Sequence, residues 1–183
     1  MTSSLSDYWR TAESDHHITP GGEDHEHFDL GLCLRLLCGP SIVEVGCGNG
    51  RLYPHFDGYI GLDVNEDRIR RCRERFPKGD FRVIGTETPY PLSPPVKGSF
   101  MPCTLFCNVL LHVRDEDLPG IAEKCEVDGM GGKVVIAEVM NPKYRDNKVN
   151  FHRDLRGYRV FGDPQVFTLP YERYRDTFTF LVF

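Results

Sequence analysis

The stretch Glu44-Val45-Gly46-Cys47-Gly48-Asn49-Gly50-Arg51 has the clearest capacity for chemistry in this chain. Glycines at alternate positions let a backbone turn sharply and approach a ligand closely. The stretch follows Ser41–Val45, a short apolar run that reads as a buried strand. A dinucleotide loop spaced G-x-G-x-x-G would need its third glycine at position 51, where Arg51 stands. By itself the loop is also compatible with a plain strand-to-helix turn. Asp63 closes the next apolar run, Tyr59–Asp63. A carboxylate there can accept hydrogen bonds from both hydroxyls of a ribose, although a cap or turn role explains a lone aspartate equally well. The combination of loop, acidic strand end and strand–helix alternation is more specific than any one of them.

Metal chemistry has a weaker footing. The segment from Asp15 to His27 carries His16, His17, His25 and His27 among acids, ligand types that suit zinc or nickel. It lacks organised spacing and contains Gly21-Gly22, so a solvated loop is expected and no metal site. The seven cysteines include no C-x-x-C pair, which argues against a zinc ribbon, and their odd number argues against a disulfide framework. Such thiols suit a reducing compartment, and the cytoplasm is the expected location.

The elements that must position these residues follow from periodicity. Residues 1–27 read as an acidic, histidine-rich arm, and residues 28–183 as one domain. Phe28, Leu32 and Leu36 are spaced as a helical stripe, with Asp29 as a cap and Gly39-Pro40 as the stop. After the strands at 41–45 and 59–63, Asn65 reads as an N-cap for a helix carrying Ile69, Cys72 and Phe76 inward. Its expected ion pairs are Glu66–Arg70 and Asp67–Arg71. Phe81–Ile84 reads as a third strand, Thr104–Leu111 as a fourth and Lys133–Val139 as a fifth. A helix over Asp115–Val127 would place Leu118, Ile121 and Cys125 inward. Residues 141–176 are polar, basic and aromatic, with a strand expected at Tyr158–Phe161, and Thr177–Phe183 is a closing strand. Alternating strands and helices imply an α/β three-layer sandwich with a mostly parallel, doubly wound sheet.

Composition bounds the rest. The chain has 183 residues, 40% apolar and 27% charged, ordinary for one globular domain. No stretch approaches the roughly 18 consecutive apolar residues of a membrane span, and no partner membrane is expected. The net charge of −5 is carried by the arm: residues 1–30 hold seven acids and one base. The body is near neutral, so charge neither demands nor excludes nucleic acid.

SIVEVGCGNGR, YIGLDVN, TLFCNVLLHV and GGKVVIAEV resemble, in order, the successive motifs of class I S-adenosylmethionine-dependent methyltransferases of the small-molecule type. The resemblance covers about residues 28–140 and implies a Rossmann-like sheet with an antiparallel final strand. It implies S-adenosyl-L-methionine as cofactor, with Gly46, Cys47, Gly48 and Gly50 passing beneath it. By the same resemblance Glu44 would hold the loop or the cofactor ammonium, Asp63 the ribose, and Val64 the adenine face. Asn108 would lie beside the methionine portion. The adenine amino group would fall to the loop after the third strand, where Thr86-Glu87 stand in place of the usual aspartate and Thr86 is the candidate.

Transfer from a sulfonium is an in-line displacement in which the protein mainly positions the acceptor. Where the acceptor is a hydroxyl, a base helps, and His112 just past the fourth strand is the candidate catalytic residue. Glu138 is a weaker candidate, read as a solvated strand end, and His55 is expected to face solvent. The acceptor would be recognised by the arm with Tyr8 and Trp9, and by His152 and Tyr158 of a substrate cap over residues 141–176; the resemblance also implies an N-terminal helix closing over the cofactor, with Tyr8, Trp9 and Arg10 in contact with it. Asn141-Pro142-Lys143-Tyr144 looks like the amine-holding motif of amino-methylating nucleic-acid enzymes, but it follows the fifth strand rather than the fourth and reads as coincidence. The expected function is methylation of an O or N atom of a small molecule, by a monomer or homodimer. The alternatives are a nucleic-acid or protein methyltransferase, for which residues 141–183 supply a modest excess of eight bases over five acids, and a non-catalytic binding protein. A nicotinamide dehydrogenase is disfavoured by Arg51.

Overall fold

The computed structural model describes residues 29–85, 103–125, 132–145, 151–171 and 176–183. The arm with Trp9, and Thr86 with the loop that follows it, lie outside the described residues.

The order of elements is α1 (Leu30–Cys38), β1 (Ser41–Val45), β2 (Gly58–Asp63), α2 (Glu66–Arg75), β3 (Asp80–Val83), β4 (Cys103–Cys107), α3 (Leu118–Cys125), β5 (Val134–Glu138), β6 (Gln165–Tyr171) and β7 (Asp176–Val182). Seven strands form one sheet in the order β3-β2-β1-β4-β5-β7-β6. The first five are parallel, and β7 enters antiparallel to β5. β1 and β5 are buried along their whole length, as strands covered on both faces should be. One apolar cluster lies on the face covered by α1, around Leu34, Ile42, Phe81 and Phe178. The other gathers Val43, Ile60, Phe106, Leu118 and Tyr158 on the opposite face. The expected three-layer, doubly wound sheet with an antiparallel strand is therefore present.

Several local expectations are corrected. α1 buries Leu30, Gly31, Leu34 and Cys38, leaving Leu32 53% and Leu36 76% exposed. Its sequence, LGLCLRLLC, is apolar on nearly every side, so spacing alone does not choose the inward face. The choice is steric: the His55 ring packs against Gly31, where a Cβ would come within 2.2 Å of the imidazole. His55 is accordingly half-buried rather than solvent-facing, and its carbonyl accepts from Arg35 Nη1 at 2.9 Å. On α2, Asn65 caps as expected, accepting from Arg68 N at 3.1 Å. Arg70, however, pairs with Glu74 (2.9 Å) and Asp67 (3.3 Å), not Glu66, and Arg71 reaches the Asp67 carbonyl instead of its carboxylate.

No α-helix joins β1 to β2. A parallel pair is usually connected through a helix, but here residues 46–57 contain one short 3-10 turn, Tyr53–His55. Rings fill the space instead. Tyr53, Tyr59, Phe76 and Phe81 form a cluster with neighbouring centroids 4.8–6.0 Å apart. Gly61 makes room for it: a Cβ there would meet Phe81 Cδ1 at 2.7 Å, Tyr59 Cε1 at 2.9 Å and Cys47 Sγ at 3.0 Å.

The closing strand is not an edge. β7 lies between β5 and β6, and β6 forms the edge. β6 carries Pro170, and an edge strand is where proline is tolerated. Tyr158–Phe161, expected as a strand, belongs to a 3-10 segment, Leu155–Phe161, started by Asp154 accepting from Arg156 N at 3.0 Å.

Gly61→Ala should destabilise the protein by about 1–3 kcal/mol, because three buried neighbours cannot all withdraw from one methyl group. Chemical denaturation measures this, and an unchanged midpoint would show that the ring cluster yields freely.

Candidate cofactor and acceptor site

Gly46, Gly48 and Gly50 have φ of 74°, 54° and 69°, the left-handed region that only glycine enters without strain. The alternation coils the backbone beyond the carboxyl end of β1. The groups this coil points inward are specific. Gly46 N and Cys47 N both donate to Leu62 O, at 2.7 and 2.9 Å. Gly48 N donates to Asp63 Oδ2 at 2.9 Å, and Gly50 N donates to Cys47 O at 2.9 Å. Four amides of the loop are thus bonded within the protein. A pyrophosphate-binding loop works the other way, with its N–H groups and a following helix N-terminus aimed at the anion. Here no such helix follows.

Two carboxylates flank the loop. Asp63 ends β2, is 5% exposed, and also accepts from Asn65 N at 2.9 Å through Oδ1. Burial pushes its carboxyl above the usual range, against backbone bonds from Asn65, Gly48 and Val64 and the charge of Arg68. Glu44 on β1 is 4% exposed, and its Oε2 accepts from the Tyr59 hydroxyl. Burial raises the Glu44 carboxyl to about 7, opposed by the Tyr59 bond and the Arg51 charge. Val64 is half-buried beside Asp63.

β4 stops at Cys107, four residues short of its expected end. Asn108 takes φ 55°, which breaks the extended pattern and which asparagine tolerates better than most residues. The chain then turns over the glycine loop. Val109 packs on Gly46 so closely that a Cβ there would meet Cγ2 at 2.5 Å. Leu110–His112 form a 3-10 turn just beyond the carboxyl end of β4 that leaves His112 half-buried.

That turn is held by a buried polar network that the sequence did not single out. Glu138, expected as a solvated strand end, is fully buried. Its Oε2 accepts from Leu111 N at 3.1 Å and its Oε1 from the Tyr158 hydroxyl. Arg153, 4% exposed, donates to Leu110 O at 2.7 Å, to Val113 O and to Asp115 Oδ1 at 2.9 Å. Its guanidinium also lies 5.4 Å from the Tyr158 ring centroid. Burial opposes ionisation of Asp115, but hydrogen bonds from Arg145 and Arg153 hold its carboxyl below the usual range. No local pattern distinguishes a buried arginine that caps carbonyls.

Of the residues expected to meet the acceptor, Tyr158 is fully buried with its hydroxyl on Glu138, so it faces the network and not an open site. His152 is half-buried, with Nδ1 2.7 Å from Val139 O, just past the carboxyl end of β5. A carbonyl can only accept, so Nδ1 carries the hydrogen of this bond. Among the described residues no group of histidines, cysteines and acids is arranged to hold a metal ion, and no helix is long and apolar enough to cross a membrane.

No family model matches the sequence, and no curated protein matches it. Solved structures do. The magnesium protoporphyrin IX methyltransferase of Synechocystis PCC 6803, with bound S-adenosylhomocysteine, matches with a TM-score of 0.63 at 12% identity, covering 97% of each chain. A geranyl diphosphate methyltransferase in complex with S-adenosylmethionine matches with a TM-score of 0.59 at 16% identity, over 83% of this chain and 82% of the other. DesVI of Streptomyces venezuelae matches with a TM-score of 0.57 at 15% identity, over 84% and 88%. The chain has the class I methyltransferase fold. Within that fold the glycine loop, Asp63, Asn108 and His112 share the carboxyl side of the sheet, where ligands of open α/β sheets bind.

Burial also sets a pH dependence. Glu138 is pushed up to about 7 chiefly by desolvation. Between its ordinary value and 7 the folded chain therefore binds a proton that the unfolded chain has released. Its contribution makes stability fall as pH rises through that window. Glu138→Gln should flatten this part of the stability–pH curve, as measured by thermal unfolding at about pH 5 and about pH 7.5. Parallel curves for variant and wild type would show that Glu138 does not titrate there.

Proposed function

We propose that this protein is an S-adenosylmethionine-dependent methyltransferase that moves a methyl group to an O or N atom of a small-molecule acceptor. One observation carries the reading: the loop amides are bonded inward while two buried carboxylates, Glu44 and Asp63, flank the loop. That acceptor set suits a nucleoside bearing positive charge and hydroxyls. It does not suit the pyrophosphate of a dinucleotide, which needs outward amides. The match to methyltransferase structures supports the same cofactor, and several of those structures contain it or an analogue.

In this reading Gly46, Cys47, Gly48 and Gly50 form the surface beneath the cofactor. Asp63, held by backbone donors that include Gly48 N and Asn65 N, receives the ribose hydroxyls. Glu44 receives the amino group of the methionine portion, Val64 packs on the adenine, and Asn108 borders the methionine portion. Thr86 keeps its proposed place at the adenine amino group. When bound, the cofactor supplies a methyl group already activated by a sulfonium.

The chain's own contribution is placement and proton handling. His112 is the proposed general base. His152, with a hydrogen held on Nδ1 by Val139 O just past β5, is the proposed acceptor contact. Glu138, Arg153 and Tyr158 fix the turn carrying His112 rather than touching the acceptor. Trp9 and the acidic arm complete the acceptor end, with residues 141–176 as its other wall. Free and mostly buried cysteines suit the cytoplasm.

Thermal unfolding with S-adenosylhomocysteine tests this, with NAD as a control. At about 100 times its dissociation constant the ligand should stabilise the fold by about 2.7 kcal/mol. Asp63→Ala should abolish the shift. Stabilisation by NAD instead, or none by S-adenosylhomocysteine in protein free of co-purified ligand, would overturn the assignment.

A further inference from the structure

Glu44 does not stand alone beside the loop. It pairs in register with Gly61 of β2, so Tyr59, two residues earlier, shares its face of the sheet. Gly61 lacks the side chain that would otherwise lie against the Tyr59 ring, 2.9 Å from Cε1. The ring is held on its other sides by Tyr53 and Phe81, with centroids at 5.5 and 5.6 Å. Its hydroxyl then reaches Glu44 Oε2 in a fully buried bond. The rings that replace a β1–β2 helix thus aim one hydroxyl at the acidic residue that opens the glycine loop.

We propose that Tyr59 is a positioning residue for cofactor binding: by donating to Glu44 Oε2 it fixes that carboxylate, in its charged form, to receive the cofactor's amino group. The proposal rests on the reading of Glu44 given above. The groups around Glu44 are Tyr59 on β2, Arg51 and Cys47 of the loop, Asp63 at the end of β2, and Cys72 on α2. Burial raises the carboxyl most, and Asp63 raises it further. Tyr59 and Arg51 oppose this, leaving it at about 7. Losing the Tyr59 hydroxyl removes a donor that favours the charged form, so the carboxyl must move up.

The test uses the full chain and two probes. S-adenosylhomocysteine carries the amino group; 5′-methylthioadenosine keeps the adenosine and thioether but lacks the amino acid. Affinities are measured calorimetrically from about pH 6 to about pH 8, across the range where a carboxyl near 7 titrates. In the wild type, S-adenosylhomocysteine should weaken as the pH falls and 5′-methylthioadenosine should not. Tyr59→Phe should move the S-adenosylhomocysteine midpoint up by about one pH unit and leave the other probe unchanged. Glu44→Gln should make S-adenosylhomocysteine binding independent of pH in this range. A Tyr59→Phe midpoint equal to the wild type's overturns the proposal. So does a pH dependence that survives Glu44→Gln, a result that decides the matter even if the tyrosine variant does not fold. Failure of both probes to bind the wild type instead overturns the cofactor assignment.

Discussion

The carboxylate of Asp63 is the joint on which this site depends. It accepts from Gly48 N on one oxygen and from Asn65 N on the other, in a setting almost closed to water. One side chain therefore ties the glycine loop after β1 to the start of α2 after β2. The tie allows the loop to coil without a helix behind it. Leu62 O, the neighbouring acceptor, takes Gly46 N and Cys47 N and completes the inward bonding. A buried carboxylate without these donors would be costly, and a loop without the carboxylate would leave Gly48 N unsatisfied. Each component requires the other.

The same economy of satisfied groups shapes the far side of the site. After β4 ends at Cys107, the chain passes through a tight turn whose polar groups cannot join a ladder. Glu138 takes the Leu111 amide, and Arg153 takes the Leu110 and Val113 carbonyls. These two buried charged residues share Tyr158 between them. Residues 151–161 thus act as a brace for the turn that carries His112. A segment that looks by composition like a loose covering is, over this span, part of the frame.

The missing crossover helix shows how aromatic packing substitutes for secondary structure. Four rings on one side of β1–β3 occupy volume a helix would fill, and glycines at 50, 61 and 79 leave space for Phe81 among them. The substitution has a chemical consequence. The loop gains no helix N-terminus, and the positive end of a helix dipole is not presented to a ligand. The local environment is instead set by two carboxylates, which favours cationic and hydroxyl-bearing ligands over anions.

What the sequence determined by itself is what short-range chemistry expresses. Glycines at 46, 48 and 50 after an apolar run required a sharp turn, and Asn65 before Glu66 and Asp67 required a helix start. Strand–helix alternation required a parallel sheet. These follow from φ/ψ limits, capping and periodicity, which neighbouring residues carry between them. The tertiary structure decided whatever several locally acceptable choices left open. α1 had apolar residues on almost every side, and only the fit of His55 against Gly31 chose between them. β6 carried a proline, and only its place at the sheet edge made that harmless. Glu44, Glu138, Arg153 and Tyr158 are polar residues whose burial depends on partners 15 to 43 positions away in the chain. Desolvation and hydrogen bonding at that range leave no trace in local spacing, because the groups meet only when the sheet has formed.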